Sequence, residues 1–215
     1  MGEPTGLAEE QLRTLDRLKG IPTTAQFYLA GGSAIAFHLH HRRSLDLDFF
    51  SFTNNVDLSA LRQHLVAAIR EVVVLSETDA ALRLRIDGEM VDFVRYPYAP
   101  LEPPVPGASG FPTARLLDLA VMKLSAIARR GIRRDFWDLH TILGSGVDLK
   151  DSGDAYVRRF GVSESDLYHV ARSLTYFADA EKDPAFPAGL TAPMWASIME
   201  TFRAQAPRLL DSQAT

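Results

Sequence analysis

Phe27-Tyr28-Leu29-Ala30-Gly31-Gly32-Ser33-Ala34, followed by Arg43-Ser44-Leu45-Asp46-Leu47-Asp48-Phe49-Phe50, is the stretch on which the fold of this 215-residue chain turns. The apolar run at 27–30 predicts a short strand leading into the Gly31-Gly32 turn. Ala34 to His40 then reads as a helix with Ser33 as its cap. Leu45 to Phe52 alternates apolar and acidic residues, which is the period of a strand.

On the N-terminal side, Leu7, Leu12, Leu15 and Leu18 recur at helical spacing until Gly20 and Pro22 stop them. On the C-terminal side, Leu58 to Ile69 has the spacing of an amphipathic helix, and the β-branched run from Val72 predicts a strand. Leu82 to Ile86 and Met90 to Tyr96 flank Asp87-Gly88, a hairpin signal because a type I′ turn needs positive φ at both positions. The segment from Pro97 to Pro112 is rich in Pro and Gly and reads as a connector. Beyond it the pattern is helical: Thr113 to Arg129, Arg133 to Leu143, and further helices near 151–160, 163–178 and 192–205. The expected fold class is α+β, a mixed sheet with flanking helices followed by a helical part. Its expected divisions are an α/β core over 1–100, a proline-rich linker over 101–112 and a helical part over 113–215.

Composition narrows the function classes. Hydrophobic residues make up 47% of the chain and charged residues 23%, which suits an ordinary core and a hydrated surface. No run approaches the roughly 20 apolar residues that cross a bilayer, and Met1-Gly2-Glu3-Pro4 lacks the regions of a signal peptide. A cytoplasmic location is the expectation. The absence of cysteine excludes disulfides and thiolate metal sites. A net charge of −4 gives no global attraction to nucleic acid. Two local basic clusters, His40 to Arg43 and Lys123 with Arg129, Arg130, Arg133 and Arg134, could still meet phosphate or simply form solvated surface.

Three features carry chemistry. Gly31-Gly32-Ser33, between a strand and a helix start, lets the backbone approach a phosphate and offers free N–H groups and a hydroxyl; plain turn chemistry is the bland alternative. Asp46 and Asp48, two apart on a strand, point to one face about 6.5–7 Å apart at the backbone. Two carboxylates so placed suit a hard divalent cation, or an ion pair with Arg42 or Arg43. Asp92, sharing a face with Met90 and Val94, adds a third acid as metal ligand or general base. A phosphate cradle and acidic metal ligands are the parts that phosphoryl and nucleotidyl transfer require. His38, His40 and His41 lack the i, i+4 spacing of a helical metal pair. Phe136, Trp137 and Leu139 read as core, and Arg158, Arg159, Tyr168 and Trp195 as helix surface and core.

Gly31-Gly32-Ser33-Ala34, Arg43 to Phe50, Val91-Asp92-Phe93, Met122-Lys123 to Arg129 and Arg134-Asp135-Phe136-Trp137-Asp138-Leu139, in this order over about residues 27–143, resemble the motifs of the AbiEii/AbiGii-type toxin nucleotidyltransferases, within the DNA polymerase beta-like superfamily. The resemblance implies a nucleotidyltransferase-like sheet and an enzyme that moves a nucleotide from an NTP. It implies that Asp46 and Asp48 hold Mg²⁺, or Mn²⁺ in its place, and that Asp92 is the third metal ligand or the base. Gly31, Gly32, Ser33 and Arg43 would line the triphosphate. Lys123 would reach the nucleotide phosphates, and Asp135 would orient Lys123 or a substrate hydroxyl; an ion pair with Arg134 or Lys123 would equally explain Asp135 and Asp138. Ser44 stands where the family often has Thr, and the region after about residue 145 is shorter than in larger members. Members are typically toxins of toxin–antitoxin or phage-defence pairs, some acting on RNA with tRNA ends as the favoured acceptor, and partnered by an antitoxin. The alternatives are transfer to a small-molecule or protein hydroxyl, phosphotransfer, or nucleotide binding without turnover.

Overall fold

The computed structural model describes residues 6–182 and 186–210, and leaves the side chain of Glu164 aside. The opening Met1-Gly2-Glu3-Pro4 lies outside these residues. The chain divides into two compact units, one ending at Arg115 and the other beginning at Leu116.

In the first unit, α1 (Glu9–Lys19) buries Leu15 and Leu18 and stops at Gly20. A short 3₁₀ turn leads into β1 (Phe27–Ala30), every residue of which is buried. Then come α2 (Gly31–Leu39), β2 (Asp46–Ser51) and α3 (Leu58–Ala68), whose N-cap Asp57 accepts a hydrogen bond from the Ala60 N–H. Next are β3 (Val72–Glu77), β4 (Ala81–Ile86) and β5 (Glu89–Val94). Asp87 and Gly88 both have positive φ, 50° and 88°, as the two-residue hairpin requires.

The strands form one mixed sheet in the order β3-β4-β5-β2-β1-β7-β6 among the described residues. Its outer members are β6 (Val105–Pro106), within the segment expected to be a connector, and β7 (Pro112–Thr113), which joins the end of that segment to a residue expected to open the next helix. β7 runs parallel to β1 through Leu29 and Thr113, so the proline-rich segment contributes to the sheet. Two-residue strands leave no periodicity in a sequence, which is why reading it found none. Leu47 and Phe49 of β2, Val91 and Phe93 of β5, and Leu82, Leu84 and Ile86 of β4 are fully buried. Phe49 stacks on Phe93 at 4.9 Å between centroids and meets Phe111 edge-on. The apolar positions thus fall on one face, and the acids fall on the other.

The second unit contains α4 (Leu116–Arg129), α5 (Arg133–Gly144), α6 (Leu149–Phe160), α7 (Glu164–Ser173), α8 (Ala178–Glu181) and α9 (Ala192–Gln205). Phe136 packs on Phe177, Trp195 and Phe202. Arg159 on α6 forms an ion pair with Asp118 on α4, with both side chains removed from solvent. Trp195 and Arg159 are therefore core, while Tyr168 is exposed. Among the described residues no helix is long and apolar enough to cross a membrane.

Candidate active site

The β1–α2 junction sets the geometry. Ala30 is extended and Gly31 has φ +56°, so the chain turns straight from strand into helix. A Cβ on Gly31 would lie 2.2 Å from Oδ2 of Asp48 and 2.8 Å from its Cγ. The glycine is there because the Asp48 carboxylate packs against its backbone. Beside it, a Cβ on Gly32 would lie 2.5 Å from the Arg42 guanidinium. One end of α2 is therefore flanked by a carboxylate and a buried arginine.

Ser33 corrects an expectation. It is not the helix cap but lies inside the first turn of α2, with Ala30 as the N-cap residue. Its hydroxyl donates to the Ala30 carbonyl at 3.0 Å and accepts from the Asp48 N–H at 3.2 Å, and the side chain is fully buried. The hydroxyl fastens the helix start to β2. Arg43 is exposed, and its carbonyl accepts from the Arg42 side chain at 3.1 Å. Ser44 is buried, its hydroxyl bonded to the Asp46 carbonyl at 2.8 Å.

Asp46 and Asp48 are half-buried and alternate with the core residues Leu47 and Phe49, so they share the face away from the core. β2 and β5 pair in parallel with Asp48 directly opposite Asp92, which brings their backbones to about 5 Å. On its other side Asp48 pairs with Ala30, the residue before Gly31. Sheet register thus brings together Gly31, Asp46, Asp48 and Asp92.

A residue that sequence reading passed over completes this face. Arg83 on β4 stands opposite Asp92. It donates from Nε to Oδ1 at 2.8 Å and from Nη2 to Oδ2 at 2.6 Å. Such a two-pronged, charge-assisted contact engages both carboxylate oxygens. The signal was present in the hairpin: a two-residue turn at Asp87-Gly88 aligns Ile86 with Glu89 and hence Arg83 with Asp92. Arg42 had no such local signal, since only the fold sets it against Gly32.

Lys123 and Asp135 belong to the helical unit, where they meet each other. Lys123 Nζ lies 2.9 Å from Asp135 and 2.8 Å from Asp138, and Arg130 bonds Asp135 at 2.8 Å. Burial opposes the charge on Lys123, but Asp138 and Asp135 outweigh it and raise the ammonium above its ordinary value. Burial likewise opposes ionisation of Asp135, yet Lys123 and Arg130 hold its carboxyl below the usual range. Both carboxylates of Asp135-Phe136-Trp137-Asp138 therefore share one ammonium. Phe136, Trp137 and Leu139 are buried, as expected of core.

Carboxylate oxygens suit a hard divalent cation, and Asp46 and Asp48 present them on one face beside the bare backbone of Gly31. Among the described residues no three acidic or histidine side chains converge as a ready metal cage; Asp92 is turned to Arg83 instead.

The sequence model of the family described as "Nucleotidyl transferase AbiEii toxin, Type IV TA system" matches residues 13–213. That match defines the class of protein to which the acid-lined mixed sheet belongs, the nucleotidyltransferases. More narrowly, the chain belongs to the AbiEii family, the toxins of type IV toxin–antitoxin systems. It is 30% identical over 208 residues to an uncharacterized protein of Aquifex aeolicus (strain VF5), covering 96% of this chain and 98% of that one. Among solved structures it is similar to MenT4, a nucleotidyltransferase toxin from Mycobacterium tuberculosis H37Rv. There the identity is 17% and the TM-score 0.47, over 95% of this chain and 92% of the other.

Proposed function

We propose that this nucleotidyltransferase transfers a nucleotide from an NTP to the end of an RNA, with tRNA as the favoured acceptor, in a magnesium-dependent reaction restrained by a cognate antitoxin. The observation that carries the reading is the register placing Asp48 between the α2 start and Asp92, with Asp46 on the same face.

Asp46 and Asp48 hold the metal, with Mn²⁺ able to replace Mg²⁺. When bound, the ion supplies positive charge to the phosphate oxygens as charge develops in the transition state. The first turn of α2 leaves N–H groups without helical acceptors, so Gly31, Gly32 and Ser33 meet triphosphate oxygens through the backbone, because the Ser33 hydroxyl is committed to Ala30. Asp92, released from Arg83, takes the proton of the attacking acceptor hydroxyl or joins the metal ligands. The hydroxyl oxygen forms the new bond to the α-phosphorus, the bond to the β-phosphate oxygen breaks, and pyrophosphate leaves. Arg43 supplies further positive charge to the phosphates, and in the helical unit Asp135 orients Lys123.

The test is transfer from four α-labelled NTPs, with Mg²⁺, to total RNA by the wild type and by Asp46→Ala/Asp48→Ala. Label that reaches RNA and disappears in the double variant supports the reading and names the donor. A folded, nucleotide-binding protein that labels no RNA sinks it. A small-molecule or protein hydroxyl is then the next acceptor to try.

A further inference from the structure

Arg83 occupies the acidic face in a way that the transfer reaction alone does not explain. Its fork takes both oxygens of Asp92, the oxygens a metal would need. Asp92 is 15% exposed and Arg83 55%, so the arginine arm lies over the carboxylate from the solvent side. Asp46, Asp48 and Asp92 share one sheet face, yet the three do not converge as a cage. The guanidinium is held above its ordinary value first by its hydrogen bond to Asp92 and by that carboxylate's charge.

Asp48 and Asp92, opposite each other on neighbouring strands, and Asp46 two residues along repel one another unless a cation stands among them. Arg83 supplies one cation, on an arm that can leave. The Arg83 side chain is more than half exposed, so the pair is only partly withdrawn from water and a divalent ion can compete for the carboxylate. A Lys at this position would offer charge without the planar fork that fits a carboxylate.

We propose that Arg83 is a positioning residue that stands on Asp92 in place of the divalent cation, holding the third carboxylate off the Asp46–Asp48 pair until metal draws it away, and so setting the metal affinity of this face. The proposal rests on the reading of that face as a metal-dependent transfer site. It adds a residue that competes with the metal rather than binding it.

The test is direct Mn²⁺ binding, followed by the paramagnetic resonance of free Mn²⁺ without nucleotide or turnover. The proteins are wild type, Arg83→Ala, Arg83→Lys, Asp92→Asn and Arg83→Ala/Asp92→Asn, each checked for an unchanged melting transition. Arg83→Ala is expected to bind Mn²⁺ about three- to fivefold more tightly than wild type, the size an exposed ion pair supports. Arg83→Lys is expected to fall between, since it keeps the charge and loses the fork. In the Asp92→Asn background, removing Arg83 should leave the affinity unchanged. Equal or weaker binding by Arg83→Ala overturns the proposal. So does an equal gain in the Asp92→Asn background, which would make the effect one of general charge, and so does an absence of Mn²⁺ binding by wild type and Arg83→Ala alike. If Mn²⁺ affinity follows Arg83 as expected but no acceptor is labelled, the transfer reading fails and this inference stands. If labelling depends on Asp46 and Asp48 while Mn²⁺ affinity ignores Arg83, the reverse holds.

Discussion

Gly31 and Gly32 are neighbours that meet different atoms, and the difference sets what each tolerates. A methyl at 31 strikes Oδ2, Cγ and Cβ of Asp48 on a backbone of φ +56°, so it meets both left-handed strain and a short side chain that it contacts down to its Cβ. A methyl at 32 meets chiefly the tip of the Arg42 side chain, which can move. Gly31→Ala should therefore cost on the order of 2–3 kcal/mol, and Gly32→Ala about 1 kcal/mol or less. Urea unfolding of both variants checks the order, and equal losses would refute the packing account. Lys123 is the other residue whose neighbours dictate an outcome. With its ammonium gone, the buried carboxylates of Asp135 and Asp138 lose the cation they share. Lys123→Met should destabilise by about 3 kcal/mol at neutral pH, the usual size for breaking a buried pair. In the wild type the lowered Asp135 carboxyl contributes stability above the ordinary carboxyl range, near pH 4, and that contribution is lost as pH falls through the lowered value. The raised Lys123 ammonium contributes below its ordinary value, near pH 10.4, and loses that only as pH rises further. In the variant, the two crowded carboxyls gain by taking up a proton, so its deficit should shrink between pH 7 and pH 4.5. Unfolding at both pH values measures this, and a constant deficit would mean that lost packing, not charge, is responsible.

At the scale of elements, α4 and α6 are joined by the Asp118–Arg159 pair, whose side chains are both fully buried. Arg159→Met alone leaves a buried carboxylate without its partner and should cost about 3–5 kcal/mol. Adding Asp118→Leu should recover much of that loss, because an apolar pair of similar volume avoids the desolvation of two charges. A double-mutant cycle by thermal unfolding reads the coupling; strictly additive losses would show that the pair contributes packing alone. Nothing in the sequence announced this contact, since Asp118 and Arg159 are distant along the chain. What was legible had local causes: the 3.6-residue period of α3, the alternation of β2 and β5, and the turn chemistry of Asp87-Gly88. The common face of Asp46 and Asp48 followed from strand period, whereas the pairing of Asp48 with Asp92 needed the β2–β5 parallel register, a long-range fact. Arg83 was within reach of the hairpin register, which sets it opposite Asp92 once the Asp87-Gly88 turn is placed. Ser33 was read as a cap because the helix was started one turn too late; Gly31 and Gly32 already belong to α2.

Across the whole molecule, a net charge of −4 means that a polyanionic acceptor is not drawn in by the overall field. Attraction has to come from local groups such as the exposed Arg43 and Arg85 of the first unit, against the acids of the same surface. A protein that neutralises few phosphates has a shallow salt dependence, about −0.7 per phosphate contacted on single strands. With about two or three such contacts, log(kcat/KM) for the RNA acceptor should fall with log[salt] at a slope of roughly −1.5 to −2. The slope is measured at fixed Mg²⁺ and saturating NTP, so that donor binding does not contribute. A second series with a short nucleoside acceptor, which offers no backbone phosphates, should give a slope near zero. If long and short acceptors respond to salt alike, the acceptor's backbone is not being gripped, and the hydroxyl that receives the nucleotide belongs to something other than RNA.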